Sequence, residues 1–167
     1  CHLSIEVKAF DDATRWCDEG RRRFPDSGSF IEARLLLLAS NVGPEPDIDS
    51  VWTTAAALEA SLPPQRRERW RPNGLMYVAA GIARAGLPDS AEAVVRRARE
   101  LDRGGDPYLD YYEAHVRLRL GQVDAALRLL GRYIDQRPRE RAYLANDWWW
   151  EELFLDPRFA RLVAEPS

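Results

Sequence analysis

Two stretches of this chain, 75–101 and 110–136, repeat each other at an offset of 35 residues. Identical residues at matching positions carry the repeat: Tyr77, Ala79, Arg84, Gly86, Asp89, Ala91 and Arg97 fall on Tyr112, Ala114, Arg119, Gly121, Asp124, Ala126 and Arg132. A weaker third copy of the second half lies upstream, over 11–20. Internal repetition with a period of about 34 residues is typical of stacked helix–turn–helix units. The repeat therefore predicts an all-α protein.

Turn residues and helical periodicity indicate where the individual helices begin and end. In each repeat, Gly86 or Gly121 is expected to end the first helix with a positive φ, and Asp89 or Asp124 to cap the second helix. The polar stretch 65–71 is expected to be a linker. Outside the repeats we expect helices over 2–9, 11–24, 30–40, 49–62 and 139–145, and a short one from Asp156-Pro157 through Leu162.

The pattern small-x6-Gly-x4-Ala-x3-large, followed by Pro138, resembles the tetratricopeptide repeat (TPR). The match covers 73–138 well, 1–25 in part and 28–62 weakly. Glu113 and Arg117 depart from the pattern, because the family usually has large apolar or aromatic residues there. The resemblance implies a right-handed α-solenoid of about four helix pairs over 1–146, with an aromatic C-terminal cap over 147–167.

The aromatic tail supplies apolar side chains that could cover the last repeat. An open helical stack leaves an apolar face at its end, and that face needs a cap. The residues expected to form this cap are Trp148, Trp149, Trp150, Leu153, Phe154 and Phe159. The tail also resembles the end of repeat regions in bacterial signalling proteins such as serine/threonine kinases.

Residues suited to catalysis are scarce. His2 and His115 are the only near-neutral bases, and the chain has no glycine-rich phosphate loop, no Gly-x-Ser-x-Gly elbow and no paired-cysteine zinc spacing. We therefore expect no enzyme, no catalytic residue, no metal and no cofactor.

The net charge is −3 and the arginine clusters are interspersed with acidic residues, which argues against nucleic-acid binding. The longest apolar run, 75–83, is too short for a transmembrane segment.

In the TPR family the first helix of each pair lines a peptide-binding groove. The resemblance therefore implies a groove lined by Met76, Ala80, Arg84, Tyr111, His115 and Arg119. Arg84 and Arg119 share one repeat position, so we expect them to stack and to bind carboxylates of a partly acidic protein or peptide. The alternative is that both arginines pair with neighbouring acidic residues. The Lys and Asn of the family's best-known peptide clamp are replaced here by Met76 and Ala80.

Two cysteines, Cys1 and Cys17, are too few for a disulfide framework, and Cys17 is expected to be a small buried side chain. Cys1 falls inside the first helix of a repeat, so we expect a C-terminal piece of a larger protein.

The leading interpretation is a cytoplasmic, non-enzymatic protein–protein interaction scaffold, the docking or sensory module of a larger bacterial signalling protein. The alternative is a periplasmic or membrane-tethered ligand-binding lipoprotein with a lipid on Cys1.

Overall fold

A computed structural model of the protein describes residues 1–42 and 45–164. In these two ranges the regular structure is helical and there is no β-strand, which confirms the predicted all-α class. None of these helices is long and apolar enough to cross a membrane. The chain divides into two compact units, Cys1–Arg103 and Gly104–Ser167. The last three residues of the predicted cap segment, 165–167, lie outside the described residues.

The first unit is built around an apolar helix that is packed on several sides. Its helices are α1 (His2–Glu6), α2 (Phe10–Arg23), α3 (Gly28–Ala39), α4 (Ile48–Ser61), α5 (Pro64–Arg84) and α6 (Pro88–Leu101). The central helix α3 packs against α2, α4 and α5, and α5 forms a hairpin with α6. Leu35, Leu37 and Leu38 of α3 are fully buried as a result.

A disulfide joins Cys1, the residue before α1, to Cys17 in α2, and their Cα atoms lie 5.1 Å apart. The burial of Cys17 confirms its predicted place in the core. The bridge itself was not predicted. It forms because α1 folds back along α2 through a tight turn, in which Lys8 adopts a positive φ of 59°.

The linker predicted over 65–71 is wrong, because α5 runs unbroken from Pro64 to Arg84. Pro64 is tolerated at the first helical position, where a backbone N–H would have no helical partner. The arginines of this stretch bind the end of α4. Arg67 donates hydrogen bonds to the carbonyl oxygens of Leu62 at 2.8 Å and Ala60 at 2.9 Å. The polar residues therefore belong to a helix that caps its neighbour.

The second unit consists of a helical hairpin and a C-terminal segment. Its α-helices are α7 (Pro107–Arg119), α8 (Val123–Gln136), α9 (Arg141–Leu144) and α10 (Pro157–Val163), with 3-10 helices at Pro138–Glu140 and Trp148–Leu153. Helix α7 pairs with α8, and α10 packs against α8 and α9. Asp156 caps α10 by accepting a hydrogen bond from the Arg158 backbone N–H at 2.8 Å, which confirms the predicted start of this helix.

The turns of the two hairpins are built alike. Gly86 has φ 76° and Gly121 has φ 71°, and these values confirm the conformation predicted for both. The predicted caps are wrong, because Leu87 and Gln122 hold the N-cap positions. Asp89 and Asp124 lie in the first turn instead, where a carboxylate is favoured by the positive end of the helix dipole.

Candidate binding site

The predicted groove residues of α5 belong to the packing of the first unit. Met76 and Ala80 are each 1% exposed, so neither offers a side-chain surface to a peptide. Arg84 reaches the end of α3, where its Nη1 donates to the carbonyl oxygen of Leu38 at 2.8 Å. Carbonyls in the last turn of a helix lack helical partners, and a guanidinium satisfies them well. Arg84 therefore caps α3 in this structure.

The predicted groove residues of α7 are covered by the chain's own C-terminal segment. Tyr111 and His115 are buried, and both ring systems pack against Trp149. Arg119 forms an ion pair with Glu152, and its side chain is only 7% exposed. Peptide binding by the six predicted residues stays a prediction, but in this conformation their side chains contact the chain itself. Arg119 pairs with a glutamate, as the alternative interpretation expects for this residue.

The aromatic tail packs into the second unit, with four of its six predicted cap residues buried: Trp149, Trp150, Leu153 and Phe159. Trp148 is half-buried and Phe154 is 37% exposed. Asp147 begins this segment and is itself buried. Its carboxylate accepts hydrogen bonds from the Tyr111 hydroxyl and from the Trp149 backbone N–H. Burial raises the pKa of Asp147 above its usual range, although these hydrogen bonds oppose the shift.

A charged groove of about 540 Å³ lies on the second unit between α7 and α8. We call it the α7–α8 groove, and it is lined by Glu113, Arg117, Gln122, Ala125, Arg128, Leu129 and Arg132. Residues three and four positions apart on a helix share one face. The spacing of 113 and 117 on α7, and of 125, 128, 129 and 132 on α8, therefore directs these side chains into one cleft.

Carboxylates on α7 hold two of the three arginines of this groove. Asp110 receives two hydrogen bonds of 2.9 Å from Nε and Nη2 of Arg132, an interhelical bidentate pair. These hydrogen bonds raise the pKa of Arg132. Glu113 receives hydrogen bonds of 3.0 Å and 2.7 Å from Nε and Nη2 of Arg117. Both guanidinium groups are thus fixed in position before any ligand arrives.

Arg128 is the third arginine of the groove and differs from the other two. It is exposed and has no hydrogen bond or ion pair to any residue in the described part of the chain. The lining residues together with Asp110, which pairs with Arg132, comprise three arginines and two carboxylates, an excess of one positive charge. The full chain has a net charge of −3, so this groove is a local positive region on an acidic protein.

Three of the charged residues that line this groove are not repeated in the first hairpin. At the 35-residue offset, Glu113, Arg117 and Arg128 correspond to Val78, Ile82 and Ala93. Val78 and Ile82 are buried. The charged set is therefore peculiar to the second hairpin and is not required by the hairpin fold. The departure of Glu113 and Arg117 from the TPR pattern was the sequence signal that could have located this site.

No protein-family model, curated protein or solved structure matches this chain.

Proposed function

We propose that this protein is a non-enzymatic interaction scaffold of the TPR type, the C-terminal docking or sensory module of a larger bacterial signalling protein. The observation that carries the proposal is the recurrence of one helical hairpin. The pairs α5–α6 and α7–α8 have equivalent turns at Gly86 and Gly121, 35 residues apart. Hairpins repeated at this spacing are the units from which helical repeat arrays are stacked, and such arrays serve as binding surfaces.

The environment of His115 supports the non-enzymatic part of the proposal. His115 is 1% exposed and stacks on the Trp149 indole, with ring centroids 4.0 Å apart. A general base must come within hydrogen-bonding reach of its substrate. His115 is shielded from solvent by the Trp149 and Trp150 rings, which favours a structural role for this side chain.

The proposal includes a right-handed solenoid of about four helix pairs, which small-angle X-ray scattering of the full chain tests. A compact domain of this length has a radius of gyration of about 15 Å. An extended stack should give a clearly larger value and an asymmetric distance distribution. A radius at the compact value would contradict the solenoid.

The binding function is tested by capture from an extract of the organism that encodes the chain. The immobilised chain should retain a specific protein in near-equimolar amount, and an unrelated all-helical protein on the same resin should not. The retained protein, once purified, should bind the chain saturably in titration calorimetry. If nothing is retained above the control resin, or the purified protein does not bind, the scaffold proposal fails.

The Cys1–Cys17 disulfide bears on the location and on the alternative function. Disulfides persist in oxidising compartments and are rare in the cytosol. The bridge therefore favours the periplasm or cell exterior over the predicted cytoplasmic location, and in this respect it supports the periplasmic ligand-binding alternative.

The disulfide counts against a lipid on Cys1, because one sulfur atom cannot be part of a disulfide and of a thioether-linked lipid at the same time. Mass spectrometry of the native protein distinguishes these forms of Cys1.

A further inference from the structure

We infer that the α7–α8 groove is the docking site for an acidic peptide segment of the partner, with Arg128 as the principal anion-binding side chain. This inference rests on the proposed scaffold function and adds to it the site and the ligand class. The inference is based on three guanidinium groups that line one open cleft. Two of them are already held in place by Asp110 and Glu113.

Charge complementarity selects the ligand. Arg128 has no partner among the described residues, so an incoming carboxylate displaces no existing ion pair there. Arg132 uses its Nε and Nη2 for Asp110, and its side chain remains 59% exposed, so its Nη1 side can meet a second carboxylate. Glutamate or aspartate side chains along a peptide would match this arrangement, since guanidinium–carboxylate hydrogen bonds are charge-assisted.

The shape of the groove favours a peptide over a small free anion. Its volume of about 540 Å³ exceeds what a single oxyanion fills. Ala125 and Leu129 supply apolar surface between the arginines. A peptide that alternates acidic and aliphatic side chains can use both features, whereas inorganic phosphate uses only the charges. The groove is open at the surface and accessible to an extended chain.

The internal repeat argues that the charges are there for a ligand. The equivalent positions of the first hairpin hold Val78, Ile82 and Ala93, and that hairpin forms with the first two buried and with no charge at the third. Burying an ion pair is often no more stabilising than apolar residues of similar volume. The exposed Arg128 has no hydrogen bond or ion pair within the described part of the chain that would stabilise the fold. Recognition of an anionic partner gives these substitutions a physical reason.

Fluorescence anisotropy on the full chain tests this inference. The probe is a short labelled peptide of glutamate and leucine, and its control has every glutamate replaced by glutamine. We expect the wild type to bind the acidic probe saturably. Arg128→Glu should weaken the affinity at least about tenfold, whereas Arg128→Lys, which keeps the positive charge, should retain it. Arg139→Glu makes the same charge change at an exposed residue outside the groove and should alter affinity by less than about twofold. Circular dichroism confirms that each variant is folded, and Arg128→Ala serves if the charge reversal is not.

Several outcomes would overturn the inference. These are no saturable binding of the acidic probe, equal binding of the glutamine peptide, or equal losses in the Arg128 and Arg139 variants. Inorganic phosphate that displaces the probe more strongly than chloride of the same ionic strength would identify a small-anion site instead. None of these results bears on whether a partner protein is captured and binds elsewhere, so the scaffold function can survive the failure of this site.

Discussion

The imidazole of His115 stacks on the indole of Trp149, with 4.0 Å between the ring centroids and 19° between the ring planes. The two residues lie 34 positions apart, and both are buried. The stack joins the middle of α7 to the 3-10 helix of the C-terminal segment. This segment is therefore part of the core of the second unit.

Replacing Trp149 with alanine should destabilise the protein strongly. The change removes a buried indole together with its stacking contacts, and we expect the free energy of unfolding to fall by about 3–5 kcal/mol. Urea denaturation monitored by circular dichroism measures the loss. Leu155→Ala is the control in the same segment, because Leu155 is 97% exposed and its removal should cost no more than about 0.5 kcal/mol. Equal stability of the two variants would contradict the cap.

Asp147 should make the stability depend on pH in an unusual direction. Its pKa is raised in the folded state, so the neutral form favours folding. The stabilisation is fully present below the ordinary pKa of 3.8 and is lost as the pH rises through the folded pKa. Asp147→Asn cannot ionise and retains a capping oxygen, so its stability relative to the wild type should grow with pH, by at most about 1.4 kcal/mol per pH unit.

Urea denaturation of both proteins across the acidic range measures this difference. Asp135→Asn removes an exposed carboxylate of α8 and controls for the change in net charge. Curves for Asp147→Asn and the wild type that run parallel across the whole range would show that Asp147 does not titrate as described.

Breaking the disulfide should destabilise the first unit. The bridge closes a loop with a sequence separation of 16, and the chain-entropy model gives such a bridge about 3 kcal/mol of stability. Cys1→Ala removes the bridge and leaves the buried Cys17 in place. The wild type should lose the same stability in dithiothreitol, while Cys1→Ala should not respond to it. Two titratable thiols in the unreduced, unfolded wild type would refute the bridge.

Replacing Gly121 with alanine should destabilise the protein for a conformational reason alone. Its φ of 71° is unfavourable for any residue with a Cβ, and a left-handed conformation costs about 1–2 kcal/mol. A Cβ at Gly121 would meet no atom within 4 Å, so a steric clash does not contribute. Gly104 is the matched control, since a Cβ there also meets nothing within 4 Å and its φ is not positive. Thermal denaturation should show a loss at Gly121 and none at Gly104.

Local features of the fold were predictable because they depend on near neighbours in the sequence. The turn glycines Gly86 and Gly121 and the cap at Asp156 were predicted correctly from patterns a few residues long. The linker over 65–71 was predicted wrongly for the complementary reason. Arg67 looks like a solvated loop residue until its carbonyl partners at the end of α4 are known.

The candidate site could be predicted only in part. The sequence marked Glu113 and Arg117 as unusual, but their ion pair and the groove they share with Arg128 depend on how α8 lies against α7. The predicted groove residues Tyr111 and His115 lie on one face of α7, as their spacing requires. The periodicity does not indicate that the chain's own tryptophans cover that face.

The sequence by itself determined the helical class, the two hairpins and their glycine turns, because helix formation and turn geometry are set by interactions within a few residues. Only the tertiary structure decided which helix faces are covered and which charges stay open. The Cys1–Cys17 bridge and the stack of His115 on Trp149 depend on contacts between residues far apart in the chain. So does the position of Arg128, which has no ion pair among the described residues. The packing of distant segments selects those contacts, and local periodicity does not encode them.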